Sequence, residues 1–171
     1  VVPAKNIKVY INFKSIMKSE AKIEKINLIF NQIDIDQLKK ISKTLKPSNF
    51  KSFINNRIKQ GKLNTELEVY LNKNNVFENF IARGSVANLE TEVINGVNLN
   101  KMNFSFFADK SDVLINNFFG ETGPIKIKDG NLKLKISPEI SLESSFKSSI
   151  KYNNKSADHL NLIKTFQYAE N

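Results

Sequence analysis

His159 is the only histidine in this sequence of 171 residues, and there is no cysteine at all. Disulfides, thiolate nucleophiles and cysteine-based metal sites are therefore excluded. A histidine holds a metal only in company, with further ligands at suitable spacing. His159 stands in a polar stretch near the end of the chain, with no carboxylate cluster around it. It reads as a surface side chain. Asp34 and Asp36 suggest paired carboxylates for acid–base work, but they fall where a strand pattern gives way to a helical one. There Asp34 serves a turn and Asp36 the helix N-cap, the role short acidic side chains fill best. No G-x-S-x-G elbow and no P-loop occurs. Gly120-Glu121-Thr122-Gly123 is a turn rather than a phosphate cradle, since no Lys-Ser/Thr and helix follow it. The sequence thus offers no catalytic residue, no metal site and no cofactor motif, and the expectation is a protein that is not an enzyme.

The formal net charge of +9 invites a nucleic-acid reading. It comes almost wholly from lysine, Arg57 and Arg83 being the only arginines. Arginine is the side chain suited to bidentate phosphate and base contacts. The abundance of Lys, Asn, Ile and Phe together also follows from AT-rich codons, so nucleic acid is set aside as a partner. No apolar run approaches the roughly 18 residues that span a bilayer, and no signal-peptide pattern opens the chain. It begins at Val1, close to a strand, as an internal segment would, so missing targeting signals do not imply a cytoplasmic address.

The elements that would carry any function are mostly strands. In Ile7–Phe13, Ile7, Val9, Ile11 and Phe13 share one face; Ile26, Leu28 and Phe30 do so in the next. From Asp36 to about Gln60 the period becomes helical, through Leu38, Ile41 and Leu45, then Phe50, Phe53, Ile54 and Ile58. This predicts two amphipathic helices, joined or kinked at Lys46–Pro47, with Ser48 capping the second and Gly61 stopping it. Their apolar residues should pack over one end or edge of the sheet.

Strand follows strand from Lys62. Leu63, Leu67, Val69 and Leu71 align, and Asn72–Asn75 is a turn. Gly84 suggests a bulge or bend, and Asn95-Gly96 a turn that would set Glu92 opposite Leu99. In the stretch Gly123–Ile140, "GPIKIKDGNLKLKISPEI", apolar residues alternate with lysines. Asp129-Gly130 within it predicts a two-residue hairpin. That hairpin sets Ile127 against Leu132 and Ile125 against Leu134 on an apolar side, with Lys126 opposite Lys133 on a wet one. The last strand aligns Ile140, Leu142, Phe146, Ile150 and Tyr152, and the tail from His159 is ambiguous between helix and strand.

The expected fold is mainly β (α+β): a curved antiparallel meander of about eight strands, with the amphipathic helical insertion at about 36–60, in a single domain or segment. Alternation by itself is how any half-buried sheet makes a core. The apolar face is longer than two short helices can cover, however, so it requires a partner, a second layer or a ligand. Its expected surface comprises Met102, Phe104, Phe106, Val113, Ile115, Ile125, Ile127, Leu132, Leu134, Ile136, Ile140 and Leu142.

The order of elements is suggestive: strands, the helical stretch Leu45–Gly61 "LKPSNFKSFINNRIKQG", then the glycine-punctuated strands of Gly84–Ile136 from "GSV" to "KIKDGNLKLKI". Over roughly Ile23 to Ile150 this cadence resembles the AsmA-like superfamily of bacterial envelope proteins, particularly its YhdP and TamB branch. The chain departs in lacking Trp and in carrying Asn and Lys where the family often has Arg, Asp or Trp. The resemblance implies a taco-like open β-groove whose apolar interior carries phospholipid acyl chains between inner and outer membrane, in outer-membrane biogenesis. It also implies a periplasmic location, an inner-membrane anchor outside this segment, and contacts with other envelope proteins. Two other readings stand beside it: a structural or adhesive β-domain without lipid, and the basic nucleic-acid surface already discounted.

Overall fold

The computed structural model describes residues 4–18, 22–43, 47, 49–94, 96–136 and 139–150. Ser48, Asn95, Tyr152, His159 and the tail lie outside them, as does the side chain of Phe50. Eight strands form one antiparallel sheet in simple sequence order: β1 (Ala4–Ile11), β2 (Ile23–Asp34), β3 (Ile58–Leu71), β4 (Phe77–Ile94), β5 (Val97–Asp109), β6 (Asp112–Thr122), β7 (Ile125–Lys135) and β8 (Ser141–Ile150). The sheet is open, with β1 and β8 as its edges. Three short helices interrupt it: α1 (Phe13–Ile16), α2 (Ile35–Ser42) and α3 (Asn49–Asn56).

Short polar side chains make the turns. Asp109 Oδ1 accepts from the amides of Ser111 and Asp112 between β5 and β6. Asn72 Oδ1 accepts from Asn74 and Val76 between β3 and β4. At the start of α2 the cap is Asp34, not Asp36. Its side chain accepts from the Gln37 amide at 2.8 Å, and Gln37 Oε1 accepts from the Asp34 amide at 3.1 Å. This reciprocal box needs a Gln or Glu three residues after the cap. Position 37 supplies it for Asp34, whereas position 39 is Lys.

A strand begins at Ile58, so the second helix ends sooner than its apolar period suggests, and Gly61 lies within β3 rather than stopping a helix. Phe13 likewise leaves the first strand for α1 and is exposed. Gly84 sits in unbroken register between Thr65 and Phe106. Its need for glycine is one of space: a Cβ there would lie 2.0 Å from the Asn64 carbonyl oxygen. Ile94 pairs with Val97, and an irregularity then sets Glu92 opposite Asn98 rather than Leu99.

The largest correction falls on Asp129-Gly130. No hairpin forms there; β7 runs straight through, paired with β6 on one side and β8 on the other. Asp129 has φ 51° and is a bulge residue. A bulge adds one residue to a strand and so shifts the parity of everything beyond it. Ile125, Ile127, Leu132 and Leu134 therefore do share a face, though by a different route from the hairpin. The route changes the wet side: Lys126 pairs with Glu121 and Ser149, and Lys133 with Leu114 and Glu143.

Asp129 is one of a series. Gln32 in β2, Asn88 in β4, Lys101 in β5 and Asn117 in β6 have φ between 51° and 55°. In β3 the matching place is Gly61 (φ 153°), beside a register shift. Every strand from β2 to β7 thus carries one positive-φ residue, and adjacent ones fall near each other across the ladders. Neighbouring asparagines hold two of them: Asn64 Oδ1 accepts from the Gln32 amide, and Asn103 Oδ1 from the Asn88 amide. Bulges bend strands and increase their twist, so this row is what curves the sheet.

Candidate functional site: an uncharged sheet face

With the bulges counted, the ladders give the side chains of one face strand by strand. Ile7 opposes Leu28, which opposes Leu67, which opposes Ala82, which opposes Ala108. Val113 and Leu134 continue that line to Leu142. A second line runs from Phe30 through Thr65, Gly84, Phe106, Ile115 and Leu132 to Ser144. Beyond the bulges, Ile33 opposes Leu63, which opposes Val86 and then Phe104, while Leu89 opposes Met102. No Asp, Glu, Lys or Arg falls on these rungs.

Ten of the twelve expected groove residues lie on this face: Met102, Phe104, Phe106, Val113, Ile115, Ile125, Ile127, Leu132, Leu134 and Leu142. Ile136 lies just past β7, half-exposed, with its amide donating to the Ser111 carbonyl. Ile140 precedes β8 and is highly exposed. Neither belongs to a ladder. Sequence reasoning left out the β1–β4 half of the face and Phe118. The signal was present: the apolar beat slips by one at Gln32, Asn88, Asn117 and Asp129.

Little covers this face. Among the described residues the buried apolar side chains are Phe30, Ile33, Ile54 and Met102. Helices α2 and α3 touch each other, and both touch β3. α2 also touches β2. Thr91 Oγ1 and the Glu92 amide both donate to the Arg57 carbonyl, tying the end of α3 to β4. Ile54 is almost fully buried there, but Phe53 is exposed and Ile58 belongs to β3, so the helix apolar set divides. Away from the helices the face is its own cover. Met102 seats over Gly120, where a Cβ would approach its Cγ to 3.2 Å. Phe118 seats over Gly130 and meets Phe104 at 6.1 Å between ring centroids.

The opposite face mixes Ile81, Phe107 and Leu114 with paired charges. Glu66 accepts from Asn27 Nδ2 at 2.7 Å and from Arg83 Nε at 2.9 Å, and both bonds hold its carboxyl below the usual range. Glu68 accepts from the Tyr70 hydroxyl and lies 3.4 Å from Lys25 Nζ. Its carboxyl is lowered chiefly by that hydroxyl, and the Tyr70 phenol is raised in return. Glu121 pairs at 3.0 Å with both Lys101 and Lys126 and is lowered by them. These are cross-strand pairs of opposite charge, which stabilise the sheet. Among the described residues no group of three potential metal ligands comes together, and no helix is long and apolar enough to cross a membrane.

Fold and face together define a class: an open, single-layer antiparallel sheet with one uncharged apolar side. No family model, no curated protein and no solved structure matches this chain.

Proposed function

We propose that this chain is a segment of a hydrophobic β-groove that carries phospholipid acyl chains across a bacterial envelope, as the AsmA-like resemblance implies. The supporting observation is the uncharged face, which continues across all eight strands and has helices over one part only. A half-buried apolar face that runs on to exposed apolar edges is unusual for a soluble monomer and supports a binding surface. Acyl chains suit it because they need apolar continuity and no fixed polar partners, and each buried CH₂ contributes about 0.8 kcal/mol. Headgroups would stay in water, since these rungs offer them no charge. Under this reading the segment works in the periplasm, tethered to the inner membrane by a region outside it, and alongside other envelope proteins.

The test is lipid extraction and native mass spectrometry on protein recovered gently from membranes. Wild type should carry phospholipid. Ile127→Asp, which sets an unpaired carboxylate on the face beside Gly120, should lose it while remaining folded. Lys126→Glu, on the other face, should retain it. Lipid-free wild type would favour the structural or adhesive domain instead.

A further inference from the structure

The two edges of the sheet are not alike. β1 has eight residues, carries Lys5 and Lys8, and has irregular pairing at both ends. Lysines and irregularities are the usual protection of an edge strand. β8 has ten residues with a single lysine, Lys147, and no positive-φ residue. The register shift at β7–β8 comes from the extra residue in β7. All of β8 is exposed, including Leu142, Phe146 and Ile150. Among the described residues, its outward side has no partner strand.

The sequence Ser141–Ile150, "SLESSFKSSI", is also complementary to itself. Antiparallel pairing of two copies about Phe146 sets Phe146 against its counterpart and Leu142 against Ile150. All of these lie on the apolar face, because opposed residues in a ladder share a side. On the other face Glu143 meets Ser149 and Ser145 meets Lys147, with Glu143 and Lys147 diagonal neighbours. No like charges are directly opposed. By contrast, β1 set against β8 with Val9 opposite Leu142 and Lys8 opposite Glu143 leaves Ile7 facing Ser144 and Phe146 facing the irregular Ala4–Asn6 stretch.

We propose that β8 is a self-association edge, on which a second copy of this chain adds its own β8 antiparallel about Phe146. The two sheets then join into one, and the uncharged faces become continuous through the Leu142–Ile150 pairs. The proposal uses the edge and not the acyl-chain surface, so it stands or falls separately from the lipid reading.

Sedimentation of the purified chain, with and without delipidation, should show a concentration-dependent dimer in both states. Phe146→Lys sets two lysines face to face and should weaken the dimer about tenfold or more, with an unchanged circular dichroism spectrum. Since the chain has no cysteine, single-cysteine variants report the register directly under mild copper–phenanthroline oxidation. Phe146→Cys should cross-link efficiently. Leu142→Cys should not, because the two copies of that position lie about 27 Å apart at ~3.4 Å per residue. A wild type that stays monomeric, or cross-linking as efficient at 142 as at 146, would overturn the proposal. So would a dimer abolished by Ile127→Asp and untouched by Phe146→Lys, which would place the contact on the apolar face.

Discussion

The helix-covered part of the sheet and the part from β5 to β8 are built from the same kind of strand, yet only one has a core. Under α2 and α3, Ile33 and Ile54 are about 2% exposed, and Ser42 and Thr91 are buried with hydrogen-bonded hydroxyls. On β5 to β8 the apolar side chains are mostly half-buried, and Met102 is the exception because Gly120 leaves it room. The contrast teaches that alternation supplies a face, while burial depends on what the chain lays over it. Two eight-residue helices cover a patch, and the remaining face stays open for something else.

The sharpest way to break this comparison is to make equivalent truncations on both sides. Ile54→Ala should cost 2–5 kcal/mol, as for fully buried aliphatics, read from urea denaturation. Close behind comes Gly84→Ala. Its new methyl meets backbone atoms, Asn64 O at 2.0 Å and Thr65 Cα at 2.9 Å, which cannot move aside as a flexible side chain can. A loss of about 2 kcal/mol is expected, in the range of overpacking.

Leu132→Ala, on the open side, should cost about 1 kcal/mol, because part of that side chain is already in water and less transfer free energy is lost. Equal costs for Ile54→Ala and Leu132→Ala would mean that β5 to β8 are covered in solution and would remove the basis for the groove.

Acid should act on both regions through the opposite face. Glu66, Glu68 and Glu121 have lowered folded-state pKa values. Their contribution is therefore present above the unfolded carboxylate value of about 4.3 and is lost as pH falls through the folded values. Melting temperature should be level from neutrality to about pH 5 and decline below about pH 4. A rise on acidification would contradict the ladders. The smallest effect belongs to Lys126→Glu, which replaces a partly exposed pair with Glu121 by a like-charge contact and should cost about 1 kcal/mol or less.

Much of this was legible from local pattern. Period-2 runs marked the strands, and the 3.6-period stretch marked the helices. Membership of the apolar face for Ile125, Ile127, Leu132 and Leu134 was legible too, because Leu132 lies five positions after Ile127 and some parity change had to intervene. Whether that change was a turn or a bulge was not legible. Asp-Gly serves both, since each needs a residue at positive φ, and only pairing partners on either side decide between them. In β7 those partners are β6 and β8, which hold the strand extended through Asp129.

The cap at Asp34 was legible, because Gln37 stands three residues after it and completes the box locally. The end of α3 was not, because the deciding group there is the β4 strand opposite Ile58, far along the chain. Periodicity is local and depends on each residue's own side, so the sequence by itself determined the mainly-β fold and the chemistry of its two faces. Which bulges align, which residues pair across strands, and where the helices lie depend on hydrogen bonds between segments distant in the chain. Those only the tertiary structure decided.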